Sequence, residues 1–203
     1  MSEPSDAELL LAWRAGDREA GNALVARHAR TVLRFFRRKV DVGAEDLTQR
    51  TFLAAVEARD RVDDPHGFRA YILGIAHHEL LRHIKRKARP DLPGIEAVTA
   101  VTPSGVVRLQ EEQRLLLGAL RKLPLDLQIT LELHYWEEMT TAEIATVLGV
   151  AAGTIKWRLS RARELLAAAI AELGGDEHIR RSTVDNLDGW VASMRAVLSR
   201  DDD

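Results

Sequence analysis

Apolar positions along this chain recur at steps of three and four, the period of a helix, and no segment shows the alternation that marks a strand. Ser5 and Glu8 stand at capping-box spacing ahead of Leu9, Leu10 and Trp13, which predicts a first helix. Gly16-Asp17 breaks that pattern. Leu24, Val25, His28, Val32, Leu33 and Phe36 resume it. Asp41 to Gly43 reads as a turn, and a third helix is expected from about Ala44 to Glu57. The run Asp63-Asp64-Pro65-His66-Gly67 is a loop, with Asp64 and Pro65 suited to open a helix from Phe68 to about Arg89. Residues 90–107 change character: they hold three of the six prolines, with Gly, Thr and Ser, and read as an extended linker. A second helical stretch follows over 108–173 and stops at Gly174-Gly175. Beyond it, Leu187, Trp190, Val191, Met194, Val197 and Leu198 predict a short amphipathic helix within 174–203. The expected fold class is all-α: two small helical domains, 1–89 and 108–173, joined by a flexible linker, plus a short C-terminal helix.

Within the second domain, Thr140 to Arg163 (TTAEIATVLGVAAGTIKWRLSRAR) has the pattern of a helix-turn-helix. Thr140 and Glu143 form a second capping box. Ile144, Ala145 and Leu148 supply an apolar face, and Ala145 is small where two helices must cross. Gly149 tolerates the positive φ of a sharp turn. Ile155, Leu159 and Ala162 then restart the apolar spacing. Lys156, Trp157, Arg158, Ser160, Arg161 and Arg163 lie largely off that face without an intervening acid. Such a helix fits a DNA major groove, with polar side chains aimed at bases and cations at phosphates.

Composition narrows the class. Of 203 residues, 30% are charged and 5% aromatic, and none is cysteine, which excludes disulfides, thiolate zinc sites and thiol redox sensing within the chain. No run approaches the roughly 18 apolar residues of a membrane span, and the N-terminus lacks the pattern of a secretory signal. A cytoplasmic location without membrane insertion is the expectation. The net charge of −2 conceals an asymmetry: residues 1–89 carry 17 Lys/Arg against 13 Asp/Glu, and residues 90–203 carry 12 against 18. Nucleic-acid contact must therefore be local, through patches rather than a bulk positive field.

One such patch is RHIKRKAR, Arg82 to Arg89, with five cations in eight residues. Cations suit the C-terminal end of a helix dipole, and they equally suit phosphate contact. Phe68, Tyr71, His77, His78 and His83 on the same helix could stack on unpaired bases, although Phe68 and Tyr71 also fit a core. Glu79 and His83 are four apart on one helical face, but no third ligand stands at matching spacing and five cations adjoin them, so no metal and no other cofactor is expected. No nucleophile–base pair and no phosphate-cradling Gly loop is visible, and an enzyme is not expected.

These segments, in this order, resemble the extracytoplasmic-function (ECF) sigma factors of the sigma-70 family, over about Asp6 to Leu173. Ala15-Gly16-Asp17 with Glu19-Ala20, DLTQRTFL (Asp46 to Leu53), FRAYILGIAHHELLRHIKRK (Phe68 to Lys87) and the stretch Leu123 to Arg163 carry the likeness. The resemblance implies an RNA polymerase specificity subunit that directs core polymerase to promoters. Residues 1–89 would be sigma region 2, docking on the polymerase clamp helices through Asp46, Gln49 and Phe52. Spacings of three put those residues on one helix surface, and Phe52 also suits a core. Region 2 would melt the minus-ten element and hold its non-template strand through Asp63, Asp64, His66, Tyr71, His78, Arg82, Lys85 and Arg86, the loop 63–67 holding a flipped base. Residues 108–173 would be region 4, engaging the polymerase flap and reading the minus-thirty-five duplex through Thr154, Lys156, Trp157, Arg158, Ser160 and Arg161. The linker would thread toward the RNA path. Implied partners are core RNA polymerase, promoter DNA and, because many relatives have one, an anti-sigma factor.

The chain departs from that family in three places. His78 stands where Asn is usual, Arg82 where an acid is common, and Trp157 where a small Ser is usual in the reading helix. Trp157 suits a thymine methyl or a sugar, but it can also block a groove, and it equally suits a neighbouring helix or a partner. The C-terminal helix suits either packing on region 4 or regulation, its terminal Asp201 to Asp203 competing with DNA phosphate. The alternative function is a stand-alone helix-turn-helix regulator of duplex DNA, which would use residues 140–163 alike but need no docking surface at Asp46, Gln49 and Phe52.

Overall fold

Local capping chemistry sets the start of the first two helices. The structure, a computed structural model, describes residues 3–40, 42–61, 67–87 and 118–173. The expected linker at 90–107 and the expected helix within 174–203 lie outside the described residues. Helix α1 (Asp6–Arg14) opens on the reciprocal box: the Glu8 N–H donates to Ser5 Oγ at 3.3 Å and the Ser5 N–H to Glu8 Oε2 at 2.7 Å. Gly16 takes φ +100°, and the Asp17 carboxylate then accepts from the Glu19 and Ala20 N–H groups to start α2 (Arg18–Arg37). Helix α3 (Ala44–Glu57) follows Gly43, whose φ of +92° turns the chain. A short 3-10 turn, Arg59–Arg61, precedes the stretch that leads to α4 (Phe68–Lys87).

These four helices pack as one unit, α2 against α1, α3 and α4, and α3 against α4. Leu10, Leu24, Val32, Phe36, Leu47, Phe68, Ile72, Leu73 and Leu80 are fully buried between them. Two expected core positions on α2, Val25 and Leu33, are half-buried, while Phe35 is buried edge-on to Phe36 with ring centroids 5.4 Å apart. A polar tie supplements the apolar core: buried His28 hydrogen-bonds through Nε2 to Asp6 Oδ2 at 2.6 Å, linking α2 to α1. Helices α1 and α2 approach closely at Gly21, where an added Cβ would lie 2.5 Å from Trp13 Nε1.

Residues 118–173 contain a helical turn at residues 118–121, then α5 (Leu125–Leu131), a widened π turn at Glu132–Trp136, α6 (Thr141–Leu148) and the long α7 (Ala152–Glu172). Helix α5 packs on α7. Leu127, Ile129, Leu131 and Leu133 meet a core that also contains Ile144, Ile155, Leu159, Ala162, Leu166 and Ile170. Among the described residues the regular structure is entirely helical, and no helix is long and apolar enough to cross a membrane.

Candidate nucleic-acid interface

Helices α6 and α7 form the bihelical motif that the sequence spacing predicts. The Glu143 N–H donates to Thr140 Oγ1 at 3.3 Å, and the Thr140 N–H donates to Glu143 Oε2 at 2.7 Å. Gly149 ends α6 with φ +64°, which an L side chain would adopt only with strain. Helix α7 then follows Ala151 with no side-chain cap and no acid in its first turn. The Thr154 N–H donates to the Ala151 carbonyl at 2.9 Å, and no side chain caps the N–H groups before it.

The core stripe of α7, at Ile155, Leu159, Ala162 and Leu166, leaves the opposite face outward. That face carries Gly153, Lys156, Trp157, Ser160 and Arg161, all exposed, with Thr154 half-buried at its edge. Trp157 is 62% exposed, and no neighbouring helix among the described residues covers its indole. Two arginines of the same helix are engaged inside the unit. Arg158, expected among the DNA contacts, keeps only 19% of its side chain exposed and pairs with Asp126 of α5 at 3.4 Å. Arg163 donates from Nε and Nη2 to the Tyr135 hydroxyl at 2.9 and 2.6 Å, tying α7 to the π turn. Arg161 keeps an exposed pair with Glu164 at 2.9 Å.

In the first unit, α3 presents a continuous outer surface. Asp46 and Gln49 are exposed and Phe52 is half-buried. The apolar side chains Leu53 (55% exposed) and Val56 extend the same face. Leu53 and Val56 escape a reading for polar docking residues; their signal is the apolar residues of α3 outside its buried stripe of Ala44, Leu47, Thr51 and Ala55. Asp46 pairs with Arg50 at 2.9 Å, one helical turn on.

Helix α4 separates its aromatic residues by depth. Phe68 is fully buried, tilted against His28 with centroids 5.5 Å apart, and belongs to the core. Tyr71 is half-buried and its hydroxyl donates to the Ala58 carbonyl at 3.2 Å. His78 is exposed on the outer surface, as are Arg82, Lys85 and Arg86. The last three join Arg50 of α3 and Glu79 in an open concavity of about 480 Å³. Arg50 does not stand out in the sequence, since it lies inside the Asp46-to-Leu53 motif, and Glu79 draws notice there only for its spacing to His83. The buried Glu79 carboxylate accepts from Arg82 Nη1 at 2.8 Å. Four cations around one carboxylate leave the concavity positive and suited to a phosphate. Beside it, the His83 imidazole is held below its ordinary pKa, first by burial, then by the charges of Lys87, Arg86 and Arg50, against a smaller opposing effect of Asp46. Asp63, Asp64 and His66 lie outside the described residues.

Comparison with known proteins identifies the family. Residues 24–90 match the family Sigma-70 region 2, and residues 113–166 match Sigma-70, region 4. Over 183 residues the chain is 32% identical to the ECF RNA polymerase sigma factor SigM of Mycobacterium tuberculosis (strain H37Rv), covering 88% of this chain and 91% of that one. It is 25% identical to the ECF RNA polymerase sigma-E factor of Escherichia coli K12, over 82% of this chain and 95% of that one. Among solved structures, a chain from CnrH in complex with the cytosolic domain of CnrY superposes with a TM-score of 0.60 at 26% identity, over 83% of this chain and 99% of that one. The complex of the sigma factor RpoE with the anti-sigma factor NepR from Bartonella quintana contains a chain of the same fold, with a TM-score of 0.60 at 24% identity, over 76% and 97%.

Proposed function

The chain belongs to the extracytoplasmic-function sigma factors of the sigma-70 family, and from that premise we propose how its two units divide the work of promoter selection. As an RNA polymerase sigma factor it binds core RNA polymerase and promoter DNA and directs transcription initiation. In our reading, residues 1–89 act as region 2, 90–107 as the connecting linker and 108–173 as region 4. The α3 face of Asp46, Gln49, Phe52, Leu53 and Val56 docks on the polymerase clamp helices. Helix α4 contacts the minus-ten element, with Tyr71 and His78 next to opened bases and Arg82, Lys85 and Arg86 on phosphates. The loop with Asp63, Asp64 and His66 receives a flipped base, whose extrusion costs a few kcal/mol that pocket contacts must return. Helix α7 reads the minus-thirty-five duplex through Thr154, Lys156, Trp157, Ser160 and Arg161. Arg158 acts mainly through its pair with Asp126, which fixes α7 on α5. No covalent step is involved: the mechanism is binding and strand separation. Two weak DNA contacts become specific because polymerase holds both units on one template, raising the effective concentration of the second contact after the first forms.

The observation that carries this reading is the outer face of α3. A stand-alone regulator of duplex DNA needs no exposed apolar pair such as Leu53 and Val56 beside Asp46 and Gln49, whereas a subunit that docks on polymerase does. An anti-sigma factor is a further partner of the same reading, and CnrH, 26% identical to this chain, is solved in complex with the cytosolic domain of CnrY. The test is transcription in vitro. The protein is added to bacterial core RNA polymerase on fragmented genomic DNA, and transcript 5′ ends are mapped. Discrete starts that share two spaced upstream elements are expected. Salt-sensitive binding to duplex DNA without any polymerase-dependent start would overturn the reading in favour of the stand-alone regulator.

A further inference from the structure

We propose that Trp157 is a specificity-determining residue of α7, its indole covering the C5-methyl group of one thymine in the upstream duplex element. The inference rests on the reading of α6 and α7 as the duplex-reading motif and adds to it a base and an atom.

Three observations place the indole at a base edge. First, Trp157 occupies the middle of the outward face, opposite the buried stripe of Ile155, Leu159, Ala162 and Leu166. It is 62% exposed, and it is the only exposed large aromatic side chain among the described residues. Leaving so large an apolar surface in water forgoes burial that a partner could supply. Second, the residue one turn before it on the same face is Gly153, and nothing lies within 4 Å of the Cβ it lacks. A helical side chain leans over the turn that precedes its own Cα. The indole therefore has an open shelf on which a flat group can approach. Third, the surroundings match a nucleic acid rather than an apolar protein surface. Lys156 and Arg161 flank the ring with cations, Ser160 and Thr154 flank it with hydroxyls, and the uncapped start of α7 lies on the same side. Cations at the margin suit phosphates, and hydroxyls suit base edges of either hydrogen-bonding polarity.

What remains for the centre of such a face is an apolar group. In the major groove the thymine C5-methyl is the apolar mark that distinguishes one base from the others. Covering a single methyl with indole surface is worth roughly fourfold in affinity. This preference is the quantity to be measured, because a phosphate or sugar contact by the same ring would be blind to it.

The experiment uses holoenzyme formed from the full chain and bacterial core RNA polymerase. The upstream element is first selected from randomised duplex. Each thymine of the selected element is then replaced singly by deoxyuridine, which removes only the methyl group. At one position the replacement is expected to weaken binding by wild-type holoenzyme about fourfold and to leave the Trp157→Ala holoenzyme unaffected. Trp157→Gln, which keeps a long side chain without the ring, is expected to behave as Trp157→Ala does. If an element is selected but wild type and both variants respond alike at every thymine, Trp157 does not read a methyl group, while α7 still reads the duplex. If no upstream duplex element is selected at all, the reading of α6 and α7 as the duplex-reading motif falls, and this inference with it.

Discussion

Replacing Leu53 by alanine should separate docking from folding. Fully burying a leucine side chain is worth about 1.5–3 kcal/mol, and 55% of Leu53 is exposed in the free protein. The unburied part therefore represents roughly 1–1.5 kcal/mol that only a partner can realise. Alanine keeps the Cβ, so the expected loss is about 1 kcal/mol, or roughly a fivefold weaker complex with core polymerase. The fold should notice little, since Leu53 contributes only its inner portion to the packing of α3, and surface changes of this kind usually stay within about 0.5 kcal/mol. Leu53→Asp extends the series by bringing a carboxylate into the apolar contact, and its cost should be clearly larger. The assay is equilibrium titration of labelled protein with core RNA polymerase, paired with thermal unfolding of each free variant followed by circular dichroism. Unchanged polymerase affinity in both variants, with normal unfolding, would refute the assignment of this face. Weakened affinity that tracks a lowered unfolding midpoint would refute the claim that docking and folding are separable at Leu53.

Other changes probe the remaining parts. Gly21→Ala removes a glycine from a helix, ordinarily a gain of about 1 kcal/mol, but its Cβ would lie 2.5 Å from Trp13 Nε1. Overpacking of about 1–3 kcal/mol should win, and faster amide hydrogen exchange in α1 and α2 is the readout; slower exchange would contradict the close approach. His83, with its pKa depressed in the folded state, favours the folded protein fully above the unfolded imidazole value near 6.5 and loses that contribution as pH falls below it. The His83→Phe variant should therefore lose less stability than wild type between neutral pH and pH about 5.5, and parallel pH curves would argue against a depressed His83. Lys85→Ala and Arg86→Ala should each flatten the salt dependence of holoenzyme–promoter binding, by roughly 0.7 in log–log slope for each single-strand phosphate no longer neutralised. Arg158→Ala should leave that slope nearly intact and lower the stability of the second unit, because its charge already faces Asp126; the reverse pattern would make Arg158 a phosphate ligand.

Much of this protein is legible from signals that act within four residues of one another. The boxes Ser5–Glu8 and Thr140–Glu143, the turns at Gly16, Gly43 and Gly149, and the spacing of Leu9, Leu10 and Trp13 or Ile155, Leu159 and Ala162 mark helices in the sequence and recur in the structure. Such features are decided by local backbone geometry and by which face must leave water, so one strand of sequence contains them. The family resemblance is legible for the same reason, since its motifs are short and ordered along the chain. Which side chains remain available for a partner is a different matter. Arg158 and Arg161 read alike as cations of one helix, yet Asp126, on α5, engages the first and leaves the second on the surface. Phe68 and Tyr71 read alike as aromatics, yet His28 and the rest of the core enclose only Phe68 completely. Arg50 and Glu79 meet when α3 and α4 bring them into one concavity, and Leu53 and Val56 gain a role because no helix among the described residues covers them. Among the described residues, the sequence by itself determined the order of the helices, and it determined the family; packing between distant segments decided exposure and pairing, because burial and ion pairing depend on neighbours in space that periodicity along the chain does not encode.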